Sequence, residues 1–207
     1  LRFAYQPGKE WTEQKINLGA SYPEVWIKYW IRVPYNFIHA DVSKDNNKFF
    51  ALYMDDYSTS GEGATITFEF WRTDSKGGSH ITVNRNPGGQ DAGIGHSDSA
   101  PFIQVPEDRG RWMEIVIQAV ASSSNTIPDG EIRVWRRWED EDSFTKLHEL
   151  TGELLQVPYT GNASNGWHQG YIMGYANATY PELTEWLVDG FTVSEASLIE
   201  SELRPKP

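Results

Sequence analysis

One segment of the chain, residues 25–37, has the sequence VWIKYWIRVPYNF and alternates apolar residues with indoles and cations. Because successive side chains of a β-strand point to opposite faces, one face of this strand would be apolar and would enter a core. The other face would carry Trp26, Lys28, Trp30 and Arg32. Indole rings pack against the C–H faces of sugar rings, and cations donate hydrogen bonds to sugar hydroxyls. The pattern therefore predicts a surface with the chemistry of a sugar-binding site.

Rings and cations on other predicted strands are expected to extend this face. The expected ligand-binding residues beyond the first strand are Lys48, Trp71, Trp135 and Arg137. Tyr175 would point the same way if its strand lies alongside. An alternative stays open, in which loops 86–111 and 139–168 cover the face and its tryptophans form a second small core. The arginines of residues 133–137 would then pair with the acidic run 139–142.

A second set of residues has the types that a polysaccharide lyase needs. Such an enzyme neutralises the carboxylate of a uronic acid, removes the neighbouring proton with a base, and protonates the leaving oxygen. The candidates are Arg72, His80, Tyr171 and Tyr175. Glycoside hydrolysis would instead need two carboxylates close together. Glu69 and Glu114 are lone carboxylates on predicted strands, and such residues are more typical of solvent-facing positions.

Acidic residues also cluster in two predicted turns. Asp41 and Asp45 lie before one strand, and Asp55 and Asp56 follow it. Carboxylate oxygens at loop tips suit calcium, so a weak calcium site is one hypothesis, and an ordinary polar turn is the other. No other cofactor is expected, because the five histidines show no close zinc-ligand spacing.

The composition excludes several classes of protein. The formal net charge is −11, from 18 Lys and Arg against 29 Asp and Glu, which disfavours nucleic acid and anionic membranes as partners. No apolar run approaches the roughly 18 residues of a membrane span, so no membrane insertion is expected. The chain has no cysteine, which excludes disulfides and thiolate metal sites. We expect no targeting segment within this sequence, which begins with leucine.

Strand patterns dominate the sequence. They occur at 24–33, 48–54, 64–72, 79–84, 112–121, 130–138, 169–176 and 184–194. A helical pattern occurs only at 196–203, shortly before two prolines. Many short strands with turn-rich connections predict an all-β protein, a two-sheet antiparallel β-sandwich of jelly-roll type. We expect one domain over residues 1–195 and a C-terminal tail or linker over 196–207.

Three segments together resemble a known group of proteins. They are EVWIKYWIRVPYNF with NNKFFALY, DRGRWMEIVIQAV with PDGEIRVW, and GYIMGYANATYPELTEWLVDGFTVSE. Over roughly residues 20–195 they look like concanavalin A-like jelly rolls of the polysaccharide-lyase and laminin-G-like, lectin-like type. The stretch 170–177 also resembles the Tyr-Phe-Lys-x-Gly-x-Tyr-x-Gln strand of alginate lyases. It departs from that strand at Met173, which stands in place of the lysine, and at Asn177, which replaces the glutamine.

Three functions are compatible with this resemblance, because the scaffold carries many activities. The first is binding of a glycan or polysaccharide through a curved sheet face, as an attachment or decoration module on the outside of a cell or on a virion or other particle surface. The second is a polysaccharide lyase that cleaves a uronic-acid polymer by β-elimination. The third is a structural surface domain whose partners belong to a larger protein assembly.

Overall fold

The computed structural model describes residues 1–39, 47–54, 63–73, 76–84, 100–156 and 165–199. Twelve strands are present in these ranges. In chain order they are β1 (Arg2–Tyr5), β2 (Trp11–Tyr22), β3 (Glu24–Arg32), β4 (Asn47–Tyr53), β5 (Thr65–Thr73), β6 (Lys76–Asn84), β7 (Ala100–Pro101), β8 (Trp112–Val120), β9 (Gly130–Trp138), β10 (Thr145–Glu153), β11 (Trp167–Tyr175) and β12 (Thr184–Ser194).

The strands form two six-stranded antiparallel sheets. Sheet A has the order β1-β12-β3-β8-β9-β10, and sheet B has the order β2-β11-β4-β5-β6-β7. Several neighbours, such as β3 and β12, are far apart in sequence, which is typical of jelly rolls. The predicted all-β, two-sheet antiparallel sandwich is therefore confirmed. The proposed domain limits, 1–195 and 196–207, stay a prediction. No helix in the described ranges is long and apolar enough to cross a membrane.

The core lies between the inner faces of the two sheets. From sheet A, β3 contributes Ile27, Tyr29 and Ile31, and from sheet B, β5 contributes Phe68 and Phe70. These residues alternate along their strands with residues outside the core cluster, as the period of two requires. Burying each of these side chains contributes about 1.5–3 kcal/mol, which is why the alternation fixes the face that each strand turns inward.

A bulge interrupts β12 beside β3. The register shifts between Asp189 and Thr192, and Gly190 has a φ of 60°, a conformation that favours glycine. The Asp189 carboxylate accepts a 2.8 Å hydrogen bond from the Gly190 N–H, so this acidic residue stabilises the local turn.

The sequence analysis missed some elements. β1, β2, β7 and β10 were not predicted, and the predicted helix over 196–203 is wrong for its described part, because residues 196–199 contain bends and no helical turn. The sequence of β2, WTEQKINLGASY, has few apolar residues because the strand lies at the edge of sheet B. Its pattern therefore lacks the apolar alternation that marks a strand with one fully buried face.

Candidate functional site

The predicted ligand-binding residues fall on two different sheets. Those of sheet A are Trp26, Lys28, Trp30 and Arg32 on β3, with Trp135 and Arg137 on β9. Lys48 on β4 and Trp71 on β5 belong to sheet B, as does Tyr175 on β11. The prediction of one shared face is therefore wrong for these three residues. Alternation along a strand indicates which residues share a face of that strand, but it does not indicate which sheet the strand joins.

The indoles on the outer face of sheet A pack on each other. The rings of Trp26 and Trp135 are stacked with centroids 5.6 Å apart and planes at 15°. Trp26 is only 7% exposed, and its indole N–H donates a 2.8 Å hydrogen bond to Glu24. Val116 of β8 pairs in register with Lys28 of β3 and Trp135 of β9, and it is 0% exposed although it lies on the outer face. The long side chains therefore cover their own sheet.

The cations of this face share one buried carboxylate. Arg137 Nε donates a 2.7 Å hydrogen bond to Glu114 Oε2, and Arg137 Nη2 forms a salt bridge with the same oxygen at 2.6 Å. Lys28 Nζ lies 3.6 Å from the other oxygen of this carboxylate. The guanidinium of Arg137 also lies over the rings of Trp30 and Phe144. The expectation that Glu114 faces solvent is wrong, because these cations from neighbouring strands enclose it.

Two further cations of sheet A contact rings or carboxylates. Arg32 lies 5.0 Å from the Tyr35 ring and 5.9 Å from the Trp112 ring. Arg133 pairs with Glu131 and Glu149. Arg133 and Arg137 thus have strand carboxylates as partners. Of the three arginines expected to pair with the acidic run 139–142, Arg136 interacts electrostatically with Glu141 of that run. The outer face of sheet A is a packed and largely neutralised layer of side chains.

The outer face of sheet B places a polar row across three adjacent strands. Lys48 pairs in register with Glu69, and Glu69 pairs with His80. Phe68 and Phe70, which flank Glu69, are core residues, so Glu69 points away from the core. Lys48 Nζ lies 3.7 Å from Glu69 Oε1, and His80 Nε2 lies 3.3 Å from Glu69 Oε2.

Burial makes this row unusual. Glu69 and His80 are only 3% and 5% exposed, so the expectation that Glu69 faces solvent is also wrong. Carboxylates and imidazoles are seldom this buried without partners, because removing them from water costs several kcal/mol. An ammonium, a carboxylate and an imidazole in contact can bind polar ligands and exchange protons.

Two tyrosines lie on the same face beside the row. Tyr53 and Tyr171 have ring centroids 6.0 Å apart and form, with Ala51, a small apolar cluster separate from the main core. Burial raises the pKa of Tyr53 to about 12, although the hydrogen bond between its hydroxyl and Tyr171 works in the opposite direction. The Tyr53 phenol is therefore protonated at physiological pH and can donate a hydrogen bond.

The cation on this face is Lys48 of β4. In the alginate-lyase strand that residues 170–177 resemble, the corresponding lysine would lie on β11. Met173 has a positive φ of 59° and is 0% exposed in the core. A Cβ added to Gly174, whose φ is 151°, would lie 2.7 Å from the Tyr171 ring. This local backbone turns Met173 inward, while Lys48 of β4 holds its ammonium 5.7 Å from the Tyr175 ring.

Some predicted residues have no described side chain. The backbones of Trp71 and Arg72 lie in β5 and pair with Gly78 and Gly77, and their side chains lie outside the described part. The calcium candidates lie outside the described residues altogether. They are Asp41, Asp45, Asp55 and Asp56. Among the residues that the structure does describe, no group of three His, Asp or Glu forms a possible metal site.

Sequence reasoning did not find Tyr53 as a site residue, and it undervalued Glu69. The signal for Glu69 is its place between two core phenylalanines in β5, a pattern that turns an acidic side chain to the outer face. Tyr53 lies between the core residues Leu52 and Met54 and turns outward for the same reason. The sequence could have indicated their faces, although it could not indicate that the residues meet.

Comparison with solved structures identifies the fold. The alginate lyase vAL-1 from a Chlorella virus has a TM-score of 0.54 at 13% identity, over 94% of this chain and 84% of that chain. The exoplasmic/lumenal domain of VIP36, in its Ca²⁺/Man2-bound form, has a TM-score of 0.54 at 11% identity, over 94% and 76%. The carbohydrate recognition domain of Emp46p, in its potassium-bound form, has a TM-score of 0.52 at 17% identity, over 95% and 84%.

These similarities establish the fold class that the two sheets define. The chain has a concanavalin A-like jelly-roll fold, shared with lectin domains and with an alginate lyase. No protein-family model matches the sequence, and no curated protein sequence matches it. At identities of 11–17% the likeness shows the fold, and function has to be argued from the site.

Proposed function

We propose that this protein binds a polysaccharide along the outer face of sheet B. The observation that carries the proposal is the row of Lys48, Glu69 and His80, with Tyr53 and Tyr171 beside it. Sugar hydroxyls both donate and accept hydrogen bonds, and this row offers an ammonium, a carboxylate, an imidazole and phenols.

The contrast with sheet A supports this choice of face. There the indoles of Trp26 and Trp135 stack on each other, so a ligand would have to displace packed rings. Glycan binding by Trp30 and its neighbours nevertheless stays a prediction. If it is correct, the experiment below should show weaker binding for the Lys28 variant and not for the Lys48 variant. The fold of VIP36, whose structure holds a mannose disaccharide, adds support for a sugar ligand. An extracellular or particle-surface location and a role as an attachment module stay predictions that fit such a ligand.

Two matched lysine variants test the proposal. Lys48 and Lys28 each lie within 3.6–3.7 Å of a buried glutamate, and their side chains are 25% and 19% exposed. Lys48→Met and Lys28→Met should therefore change stability by similar amounts. Only Lys48 belongs to the proposed site, so only Lys48→Met should weaken glycan binding. A hydrogen bond from a charged group contributes about 1.5–3 kcal/mol, which corresponds to a loss of roughly 10- to 100-fold.

The assay is titration calorimetry against a panel of mannan, alginate, glucuronan, heparin-like and pectic polymers. Binding of at least one polymer, weakened by Lys48→Met and unchanged by Lys28→Met, is the expected result. Weakening by Lys28→Met alone would place the ligand on sheet A. Absence of binding to every polymer would remove the proposed function.

A lyase is the second candidate, because the same face carries its acid–base groups. His80 lies against Glu69, which can orient it as a base, and Tyr171 can act as the acid. Lys48 supplies a positive charge for the substrate carboxylate. In β-elimination the base takes the proton beside the carboxylate, a carbon–carbon double bond forms, and the leaving oxygen departs and is protonated.

Absorbance of the unsaturated uronate product tests this candidate directly. A lyase predicts an increase with alginate, glucuronan or a pectic polymer that disappears in His80→Ala, although this variant, which loses one group of the binding row, still binds polymer more weakly. Binding without any increase in absorbance would remove the lyase and leave the binding function.

A further inference from the structure

An exposed tryptophan extends the polar row of sheet B. Trp11 begins the edge strand β2 and is 55% exposed. It pairs in register with Tyr175 of β11, and the two rings make a T-shaped contact with centroids 5.9 Å apart. Ile16 and Leu18 of the same strand pack against the core, so the odd-numbered positions of β2, including Trp11, belong to the outer face.

Tyr175 connects this tryptophan to the row. Its ring lies 5.7 Å from Lys48 Nζ, and Lys48 in turn contacts Glu69, which contacts His80. The strands β2, β11, β4, β5 and β6 are consecutive in sheet B, and each contributes one member of the series. With neighbouring strands about 4.8 Å apart, the series spans roughly 19 Å across the sheet, which is long enough for several sugar rings.

The tyrosine is held in place from both sides. Lys48 lies over its ring, and its hydroxyl donates a hydrogen bond to Glu10, which raises the pKa of Tyr175. A fixed Tyr175 in contact with Trp11 limits the orientations of the indole. Trp11 as a whole is still 55% exposed and therefore accessible to a ligand.

We propose that Trp11 and Tyr175 form an aromatic end subsite, on which one pyranose ring of an extended polysaccharide stacks. This inference rests on the proposed function and adds two features to it. The ligand lies across the strands of sheet B, from His80 towards Trp11, and affinity increases with chain length until the aromatic end is reached.

Oligosaccharides of two lengths test the inference. Wild-type protein and Trp11→Ala are titrated with mannan, alginate, glucuronan, heparin-like and pectic oligosaccharides of two and six residues. Six residues reach the aromatic end and two do not, so Trp11→Ala should weaken binding of the hexasaccharide about fivefold, in line with the energy of one ring contact, and leave the disaccharide unchanged. Trp11→Phe retains a ring and should restore part of the loss.

The control is Tyr35→Ala, which removes an aromatic residue that is more exposed than Trp11, at 70%, and lies beside Arg32 of sheet A. It should leave both oligosaccharides unaffected. If hexasaccharide binding is the same in Trp11→Ala and in wild type, the end subsite is wrong while the proposed function stands. If neither oligosaccharide binds to the wild type, both are wrong.

Discussion

Replacing Glu114 by glutamine tests whether sheet A covers itself with neutralised side chains. Glu114 is buried and accepts a 2.7 Å hydrogen bond from Arg137 Nε, with Arg137 Nη2 at 2.6 Å and Lys28 Nζ at 3.6 Å as ion-pair contacts. Glutamine preserves the shape and one oxygen acceptor, but it removes the charge. Two cations whose side chains are only about one-fifth exposed then lie together without their carboxylate.

The magnitude follows from the kind of interaction that is lost. Hydrogen bonds to a charged group contribute about 1.5–3 kcal/mol each, and removing one partner of a buried pair costs about 3–5 kcal/mol. Since glutamine keeps one acceptor, we expect the free energy of unfolding to fall by about 3 kcal/mol. That is a large fraction of the roughly 5–15 kcal/mol that stabilises a typical domain.

Urea denaturation followed by tryptophan fluorescence measures this change. Glu131→Gln is the control, because Glu131 pairs with Arg133 at a more exposed position and should change stability by less than about 1 kcal/mol. The double variant with Arg137→Met should lose less than the sum of the two single variants, since both partners of the pair are then gone. A Glu114→Gln protein within 0.5 kcal/mol of wild type in urea would refute the reasoning.

Three further results are expected. Tyr29→Phe should keep or raise the free energy of unfolding by up to about 1 kcal/mol in urea, because the buried Tyr29 hydroxyl has no hydrogen-bond partner among the described residues; a clear loss would contradict this. Trp26→Ala should cost about 3 kcal/mol in the same assay by removing the stacked contact with Trp135, and a cost below 1 kcal/mol would show that the pair is not part of the packing. In a spectrophotometric titration Tyr53 should ionise near pH 12. Because its folded pKa lies above its ordinary value of 10, the stability it contributes is complete below pH 10 and is lost as the pH rises towards 12. Comparing Tyr53→Phe with wild type over this range checks the assignment.

The sequence predicts the faces of strands better than their neighbours. The alternation in β3 correctly placed Ile27, Tyr29 and Ile31 in the core, because burial of one face requires a period of two. The same kind of pattern predicted that Lys48 and Trp30 share one ligand-binding face, although β4 and β3 belong to different sheets. Strand order depends on contacts between segments far apart in the chain, and no local pattern records it.

The two buried glutamates show the same limit. Glu69 and Glu114 were expected to face solvent, because a lone carboxylate on an outer face usually does. Each glutamate is instead buried beside a lysine of a neighbouring strand, Lys48 for Glu69 and Lys28 for Glu114. Both lysines precede their glutamates by many residues in the chain. Of the candidate site, the sequence therefore supplied His80, Tyr171, Tyr175 and Lys48 as chemical types. Only the sheet order brings them together with Glu69.

The indole resonances of the protein test the central claim, that sheet B carries the ligand, most directly. The nine tryptophans each have one indole N–H, which an amide correlation spectrum resolves during titration with a binding polymer. The account predicts that the Trp11 resonance moves, while those of Trp26, Trp30 and Trp135 stay in place. Movement of the Trp30 and Trp135 resonances with Trp11 unchanged would contradict it and would locate the ligand on sheet A.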